Sequence, residues 1–211
     1  MTSDIQVEPT HYSTLTYDTK ERFLSYWHQI SEVLTRQPEQ MLEVGIGNGF
    51  VHRYLRQHDV DVHTMDFDER LGPDTTGSVL EMPFEDDSFD MVACFETLEH
   101  LPFEVFETAL SELRRVGRRW VLLSLPDVTP YVRMDFKVEG VMSKKGRLLK
   151  DLPDASPRPH KFDGQHYWEL GKKDYAVREI SKLIEDAGLE IEASFRVFEL
   201  PYHRFISCRI R

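Results

Sequence analysis

Met41-Leu42-Glu43-Val44-Gly45-Ile46-Gly47-Asn48-Gly49 is a short apolar run that closes with glycines at every second position. A buried strand that stops at a glycine-rich turn and restarts as a helix is how an open α/β sheet builds a nucleotide site. Glycine lets the backbone turn tightly and lets a ligand approach where a Cβ would clash. A dinucleotide fingerprint would place a further glycine three residues after the second, and that position is Phe50. The turn therefore departs from the pattern of an NAD(P)-dependent Rossmann oxidoreductase, the competing reading for such a strand and turn.

Outward from this stretch, strands and helices alternate. Val60 to Asp66 is β-branched and alternating, a second strand that ends in an acid about twenty residues past the first glycine. Nucleotide folds put a carboxylate there because it accepts two hydrogen bonds from the ribose hydroxyls. Asp66 closes the apolar run and is preferred to Asp68; Phe67 lies between them. Before the turn, Phe23, Trp27, Ile30 and Leu34 recur at three- and four-residue steps, which predicts a helix from Thr19 to about Arg36, ended by Pro38. After it, Phe50 to about His58 reads as a helix. Phe89 to Phe95 is a nearly continuous apolar run, as in a central parallel strand buried on both faces. A helix from Pro102 to Val116 and a fifth strand from Trp120 to Leu125 come next. Asp174 is a plausible cap for a helix stopped by Gly188, and Leu189–Phe198 and Arg204–Ile210 read as two closing strands.

Composition sets the class. The 211 residues, 40% hydrophobic and 30% charged, suit one domain (1–211) with an N-terminal helical segment (1–37) and one insertion (127–173). No run approaches the roughly 20 apolar residues of a membrane span, so no membrane partner is expected. The start, MTSDIQVEPTHY, lacks the basic and apolar regions of a secretory leader, which points to the cytoplasm. A net charge of −11 repels a phosphate backbone, so no nucleic acid partner is expected. Cys94 and Cys208 sit in apolar strand-like runs and read as buried free thiols. Nine histidines prompt a search for metal ligands. His160 and His166 flank Asp163, but no H-x-x-x-H or C-x-x-C occurs, and no metal site is expected. The oligomeric state stays open.

With Glu43 before it, the glycine turn resembles motif I of the class I S-adenosylmethionine (SAM)-dependent methyltransferases, in particular the type 11-like family. Met82-Pro83-Phe84, the acidic turn and Ser88-Phe89-Asp90 are similar to that family's "LPF…SFD" segment, and Glu96-Thr97-Leu98-Glu99-His100-Leu101 to its "evLEHl" segment. The resemblance covers about residues 41–125 plus the last helix and strand pair. It implies a Rossmann-like, seven-stranded, mostly parallel sheet flanked by helices, with an antiparallel last strand and a cap inserted after strand 5. It implies SAM as cofactor and S-adenosylhomocysteine as product. Glu43, Gly45, Gly47, Gly49, Asp66, Phe67, Ser78, Val79, Leu80 and Phe95 would then line the cofactor. Ser78 stands where the family usually has an acid for the adenine amino group. Tyr12, Tyr17 and Tyr26 could form a lid.

Methyl transfer from a sulfonium needs mainly alignment and exclusion of water, and a base only if the acceptor must lose a proton. The base candidates are His166, Tyr167 and His100, with His203 behind them. The acceptor would be a small molecule methylated on oxygen, nitrogen or a carboxyl group. A catalytically silent SAM-fold interaction protein is the second alternative. The insertion carries +3 in a chain of net −11, and Lys144, Lys145, Arg147 and Lys150 cluster in it, which suggests an anionic acceptor. Tyr167 and Trp168 in it either line the pocket or pin the loop.

Overall fold

The computed structural model of the protein describes residues 8–14, 16–138, 144–152 and 156–211. The helices are α1 (Lys20–Arg36), α2 (Phe50–Arg56), α3 (Phe106–Val116) and α4 (Val177–Asp186). The strands are β1 (Gln40–Val44), β2 (Asp61–Asp66), β3 (Thr75–Thr76), β4 (Phe89–Phe95), β5 (Gly117–Pro126), β6 (Tyr131–Val138), β7 (Lys144–Asp151), β8 (Leu189–Arg196) and β9 (His203–Ile210). Seven of them form one sheet in the order β3-β2-β1-β4-β5-β9-β8. β9 runs antiparallel to both neighbours, and the pairs from β3 to β5 are parallel. The order reverses between β1 and β4, so a crevice opens at the carboxyl ends of these two strands.

Strand side chains alternate between the two faces, and the sequence obeys this with period two. Leu42, Val44, Val92, Cys94, Val121 and Leu123 pack on one face with Leu110 and Leu113 of α3 and Ile180 and Ile184 of α4. Met41, Met91, Ala93, Trp120 and Leu122 pack on the other with Ile30 and Val33 of α1 and Val51 and Leu55 of α2. Both thiols, Cys94 and Cys208, are buried and free. α1 starts where Thr19 accepts from the Arg22 N–H, a cap that contributes about 1 kcal/mol, and ends at Gln37 in the left-handed region. No helix among the described residues is long and apolar enough to cross a membrane.

β3 is only two residues long, and its neighbour Gly77 bonds from its N–H to the Asp66 carbonyl. Two details differ from the sequence reading. Asp174 does not cap α4: it sits at φ 72° inside a turn closed by the Gly171 N–H on the Tyr175 carbonyl, so the helix starts only at Val177 after Ala176. The insertion is not irregular throughout, because β6 and β7 form an antiparallel hairpin. Its signal was the alternation Val132, Met134, Phe136, Val138, but these side chains are exposed and pack into no core.

Charge holds the hairpin in place. The Asp127 carboxylate, wholly buried, accepts from Arg204 Nε at 2.6 Å. Asp151 at the end of β7 accepts from Arg196 Nη1 at 2.9 Å and also pairs with Arg204. Arg196 further donates to the carbonyls of Asp127 and Thr129. Past the hairpin the chain returns across the sheet. Leu170 hydrogen-bonds with Pro126 and Val128, and Trp168 is fully buried against Phe103 and Phe106. Trp168 therefore pins the loop.

Removing one partner of a buried ion pair leaves the other uncompensated, at about 3–5 kcal/mol. The Asp127→Ala variant should lose stability of that order in urea denaturation. A loss below about 1 kcal/mol would show that Asp151 alone holds both arginines.

Candidate active site

A cavity of about 220 Å³ lies in the crevice at the carboxyl ends of β1 and β4. Its floor at one end is the glycine turn. Gly45 has φ 79° and its missing Cβ would stand 2.1 Å from Thr97 Oγ1, so only glycine fits there. A Cβ on Gly47 (φ 51°) would touch the Tyr12 ring and the Tyr17 hydroxyl, which places these tyrosines over the turn. The turn is held by Asp66, whose carboxylate accepts from the Ile46 N–H at 2.9 Å and from the Asp68 N–H at 3.0 Å. Burial raises the Asp66 pKa, against these hydrogen bonds. Asp68 is instead taken up by Arg70 in a two-point pair, 2.9 Å on each oxygen.

The leading segment closes over this end. Asn48 in the turn donates to Asp18 at 2.8 Å and to Tyr26 Oη at 3.0 Å, and Tyr26 donates to Asp18. Tyr12 and Tyr17 meet edge to face at 5.1 Å, and the Arg22 guanidinium lies 4.1 Å from the Tyr17 ring centre. Burial raises the pKa of all three tyrosines, so they stay neutral. Glu8 reaches Arg70 at 2.9 Å and ties the start of the described chain to the Asp68 loop.

The residues assigned to the cofactor do not all take equal places. Glu43, Gly45, Gly47, Asp66, Phe67, Ser78, Val79 and Phe95 line the cavity. Gly49 lies behind the turn against His52 and Arg53, and Leu80 packs on the core below α3. Glu43 already has a partner: His52 Nδ1 is 3.2 Å from its carboxylate, and burial pushes its pKa up. Ser78 Oγ accepts from the Leu80 N–H at 3.2 Å.

The other end of the cavity is built from the segment after β4. Glu96 takes φ 47°, a left-handed backbone that a non-glycine residue adopts only under constraint, and its N–H is held by the Ser124 carbonyl at 3.0 Å. The 3₁₀ turn Leu98–His100 then brings Glu99 and His100 inward, and the returning loop adds Gln165 and His166. His100 Nδ1 is 3.1 Å from the Gln165 carbonyl; burial, then the nearby His166, lowers its pKa to about 4, so it is neutral. His203 bonds Ser25 Oγ at 2.7 Å and faces Glu96 at 3.4 Å. His166 Nδ1 stands 3.3 Å from both Glu169 and Tyr202 Oη, and Tyr202 donates to the same carboxylate. Burial raises the Glu169 pKa, but the hydrogen bonds from His166 and Tyr202 outweigh it and hold it at about 2.

His166 and His100 thus come together, with ring centres 5.0 Å apart, and Glu99 joins them. Tyr167 does not line the cavity; it stacks on Phe162 at the surface. In the sequence Glu96 and Glu99 stand out only as part of the segment that follows the fourth strand, and Tyr202 and Glu169, which lie far apart in the chain, carry no local motif that would have found them. The basic cluster Lys144, Lys145, Arg147 and Lys150 sits on β7 outside the cavity, where Arg147 pairs with Glu199 at 2.7 Å; the Lys144 side chain lies outside the described ones. Arg22 is the one Lys or Arg lining the cavity among the described residues, against five acids.

Residues 42–123 match the family model described as "Methyltransferase domain". No curated protein matches the chain. Among solved structures, the magnesium protoporphyrin IX methyltransferase of Synechocystis PCC 6803 with bound S-adenosylhomocysteine is 15% identical, covers 90% of this chain and 84% of its own, and has a TM-score of 0.59. The 1,6-didemethyltoxoflavin-N1-methyltransferase of Burkholderia thailandensis is 16% identical, with 97% and 91% covered and a TM-score of 0.57. A SAM-dependent methyltransferase of Aquifex aeolicus is 18% identical, with 97% and 100% covered and a TM-score of 0.58.

The steric limit at Gly45 gives a direct test. Gly45→Ala should weaken S-adenosylhomocysteine binding at least 10-fold by calorimetry, because φ 79° strains alanine and Thr97 must move. An unchanged Kd would take this turn out of the cofactor site.

Proposed function

We propose that the chain is a class I SAM-dependent methyltransferase and that it methylates a hydroxyl or amine of a small-molecule acceptor held at the Glu96–Glu99–His100–His166 end of the cavity. The observation that carries this reading is the continuity of one cavity. It runs from a glycine cradle that a Cβ would fill to a cluster of carboxylates and imidazoles around the buried Glu99. The residues fit SAM. The Gly45–Gly47 backbone would lie along its methionine and ribose, Asp66 would accept from the ribose hydroxyls, and Ser78 and Val79 would meet the adenine. When bound, SAM supplies an electrophilic methyl on a sulfonium with a neutral thioether as leaving group.

The chain's own residues do the rest. Tyr12, Tyr17 and Tyr26 cover the cradle and exclude water, which favours alignment over hydrolysis. His100 and His203 have pKa values lowered by burial, so both are neutral at pH 7 and can accept a proton from an acceptor O–H or N–H. His166 is backed by Glu169, which would stabilise it once protonated. Acids dominate the lining, and this supports an acceptor that brings donors or positive charge over the anionic one suggested by the insertion's composition.

We read residues 1–211 as one methyltransferase domain. The buried free thiols support a reducing, cytoplasmic setting, and the net charge of −11 supports a small-molecule over a nucleic-acid partner. The substrates of the two named neighbours, a porphyrin and a toxoflavin precursor, are consistent with a small-molecule acceptor. Phe50 in place of a third fingerprint glycine disfavours an oxidoreductase.

Transfer of tritium from methyl-labelled SAM to a panel of phenols, aliphatic alcohols, amines and carboxylates tests the reading. Label should enter hydroxyl or amine compounds, and His166→Ala should lower kcat by about 10²-fold with the Kd for S-adenosylhomocysteine unchanged. Label confined to carboxylates would overturn the acceptor assignment.

A further inference from the structure

Glu99 is the most anomalous residue of the protein. It is wholly buried, and neither carboxylate oxygen has a hydrogen-bond partner. Glu96 adds one more buried, unpartnered oxygen beside it. A desolvated carboxylate with no donor is among the least favourable arrangements in a protein interior. A group of this kind commonly marks an ion or ligand that completes the site.

The groups around it fit a cation of defined chemistry. Glu99, His100 and His166 each offer one ligand atom, and these atoms lie within 4.8 Å of one another. Ligands at about 2.0–2.2 Å from one ion stand roughly 3.3–3.6 Å apart in a tetrahedral shell, so closing on an ion needs side-chain shifts of up to about an ångström. Both imidazoles are already oriented from behind. His100 Nδ1 faces the Gln165 carbonyl at 3.1 Å, and His166 Nδ1 faces the Glu169 carboxylate at 3.3 Å. A proton on each Nδ1 is the tautomer in which Nε2 would serve as the ligand atom. Ligating histidines in metal sites are held in this way, one nitrogen on a carbonyl or carboxylate and the other on the ion. Glu169 is itself fixed by Tyr202 and by Lys172 at 3.6 Å.

We propose that Glu99, His100 and His166 form a binding site for one divalent first-row transition-metal ion at the acceptor end of the cavity. Two imidazoles and one carboxylate suit zinc, iron(II), cobalt or manganese, whereas magnesium and calcium prefer an all-oxygen shell. The three ligands leave further positions open to the cavity. An acceptor hydroxyl or amine beside the ion would be oriented by it, a hydroxyl would have its pKa lowered, and with His100 and His166 on the ion the proton acceptor would be His203. The proposal rests on the methyltransferase reading for the ion's role, but the binding site itself stands on geometry. It was invisible in the sequence because His166 comes from a loop 66 residues past His100.

The test uses the full chain, purified without a histidine tag and stripped with a chelator. Zinc is titrated calorimetrically, and cobalt(II) is titrated while its visible absorption is followed. One ion per chain should bind with micromolar affinity or better, and the cobalt spectrum should show a low-symmetry site with nitrogen ligands. Glu99→Gln and His166→Ala should each weaken binding by 10-fold or more, while S-adenosylhomocysteine titrated into the same samples binds as in the wild type. If Glu99→Gln fails to fold, His166→Ala, on the returning loop, decides. Absence of a bound ion in the wild type, or wild-type affinity in either folded variant, overturns the proposal. An amine acceptor whose methylation needs Glu99 in a chain that binds no metal overturns it too and assigns the carboxylate to the substrate ammonium. Loss of S-adenosylhomocysteine binding in the wild type itself would strike the methyltransferase reading and leave the metal titration to stand by itself.

Discussion

The carboxylate of Asp66 joins two stretches of chain that would otherwise end freely at the top of the sheet. It accepts the Ile46 N–H from the turn after β1 and the Asp68 N–H from the loop after β2. The Gly45 N–H on the Met65 carbonyl, at 2.9 Å, closes the same junction. Once these bonds are made, the glycine turn has one position relative to β2, and the cofactor cradle has one shape. Asn48 then offers its amide to Asp18 and Tyr26, and Arg70 links Asp68 to Glu8. The lid of tyrosines is therefore anchored to the turn it covers. Order at this end is local and fully hydrogen-bonded, so it exists before any ligand arrives.

The acceptor end obeys the opposite logic. Glu96 is held in a left-handed backbone, Glu99 is buried without a partner, and His100 is kept neutral by burial. Each of these features is unfavourable alone, by one to a few kcal/mol. They persist because the surrounding fold over-determines them: the Ser124 carbonyl fixes Glu96, and the Tyr167 N–H on the Glu99 carbonyl, at 2.8 Å, fixes the 3₁₀ turn. Places where local preference is overridden are where a protein completes itself by binding.

This contrast also explains how much could be read from the residues alone. β1, β2, β4, α1 and α2, with the glycine turn and Asp66, obey period and turn rules over a few residues, and the sequence reading placed them within two or three positions. The paired closing strands were equally legible. The start of α4 was misread because Asp174 looks like a cap, while a turn through Gly171 and Tyr175 uses it at positive φ instead. The hairpin was missed because its apolar alternation faces outward and its stability comes from Asp127, Arg196, Arg204 and Asp151, four residues spread over 78 positions. Ion pairs of this range have no local signature. The same holds for His166 and Glu169 on the returning loop and Tyr202 in the β8–β9 connection, whose roles arise only where these two segments meet.

Charge placement depends on the same geometry. The insertion concentrates basic residues on β7, and from composition this looks like a device for an anionic acceptor. In three dimensions those side chains sit on a hairpin that reaches the body through Asp151, Glu199 and the carbonyls of residues 198 and 199. Arg147 meets Glu199, the acid of the β8–β9 connection, so part of this charge serves to attach the hairpin. The cavity keeps five acids and one arginine, and that arginine lies against the Tyr17 ring in the lid. On the proposed reading, an acceptor in this cavity meets carboxylates and imidazoles. A reactive group that brings hydrogen-bond donors, or a cation shared with it, would leave none of those carboxylates buried and unpaired.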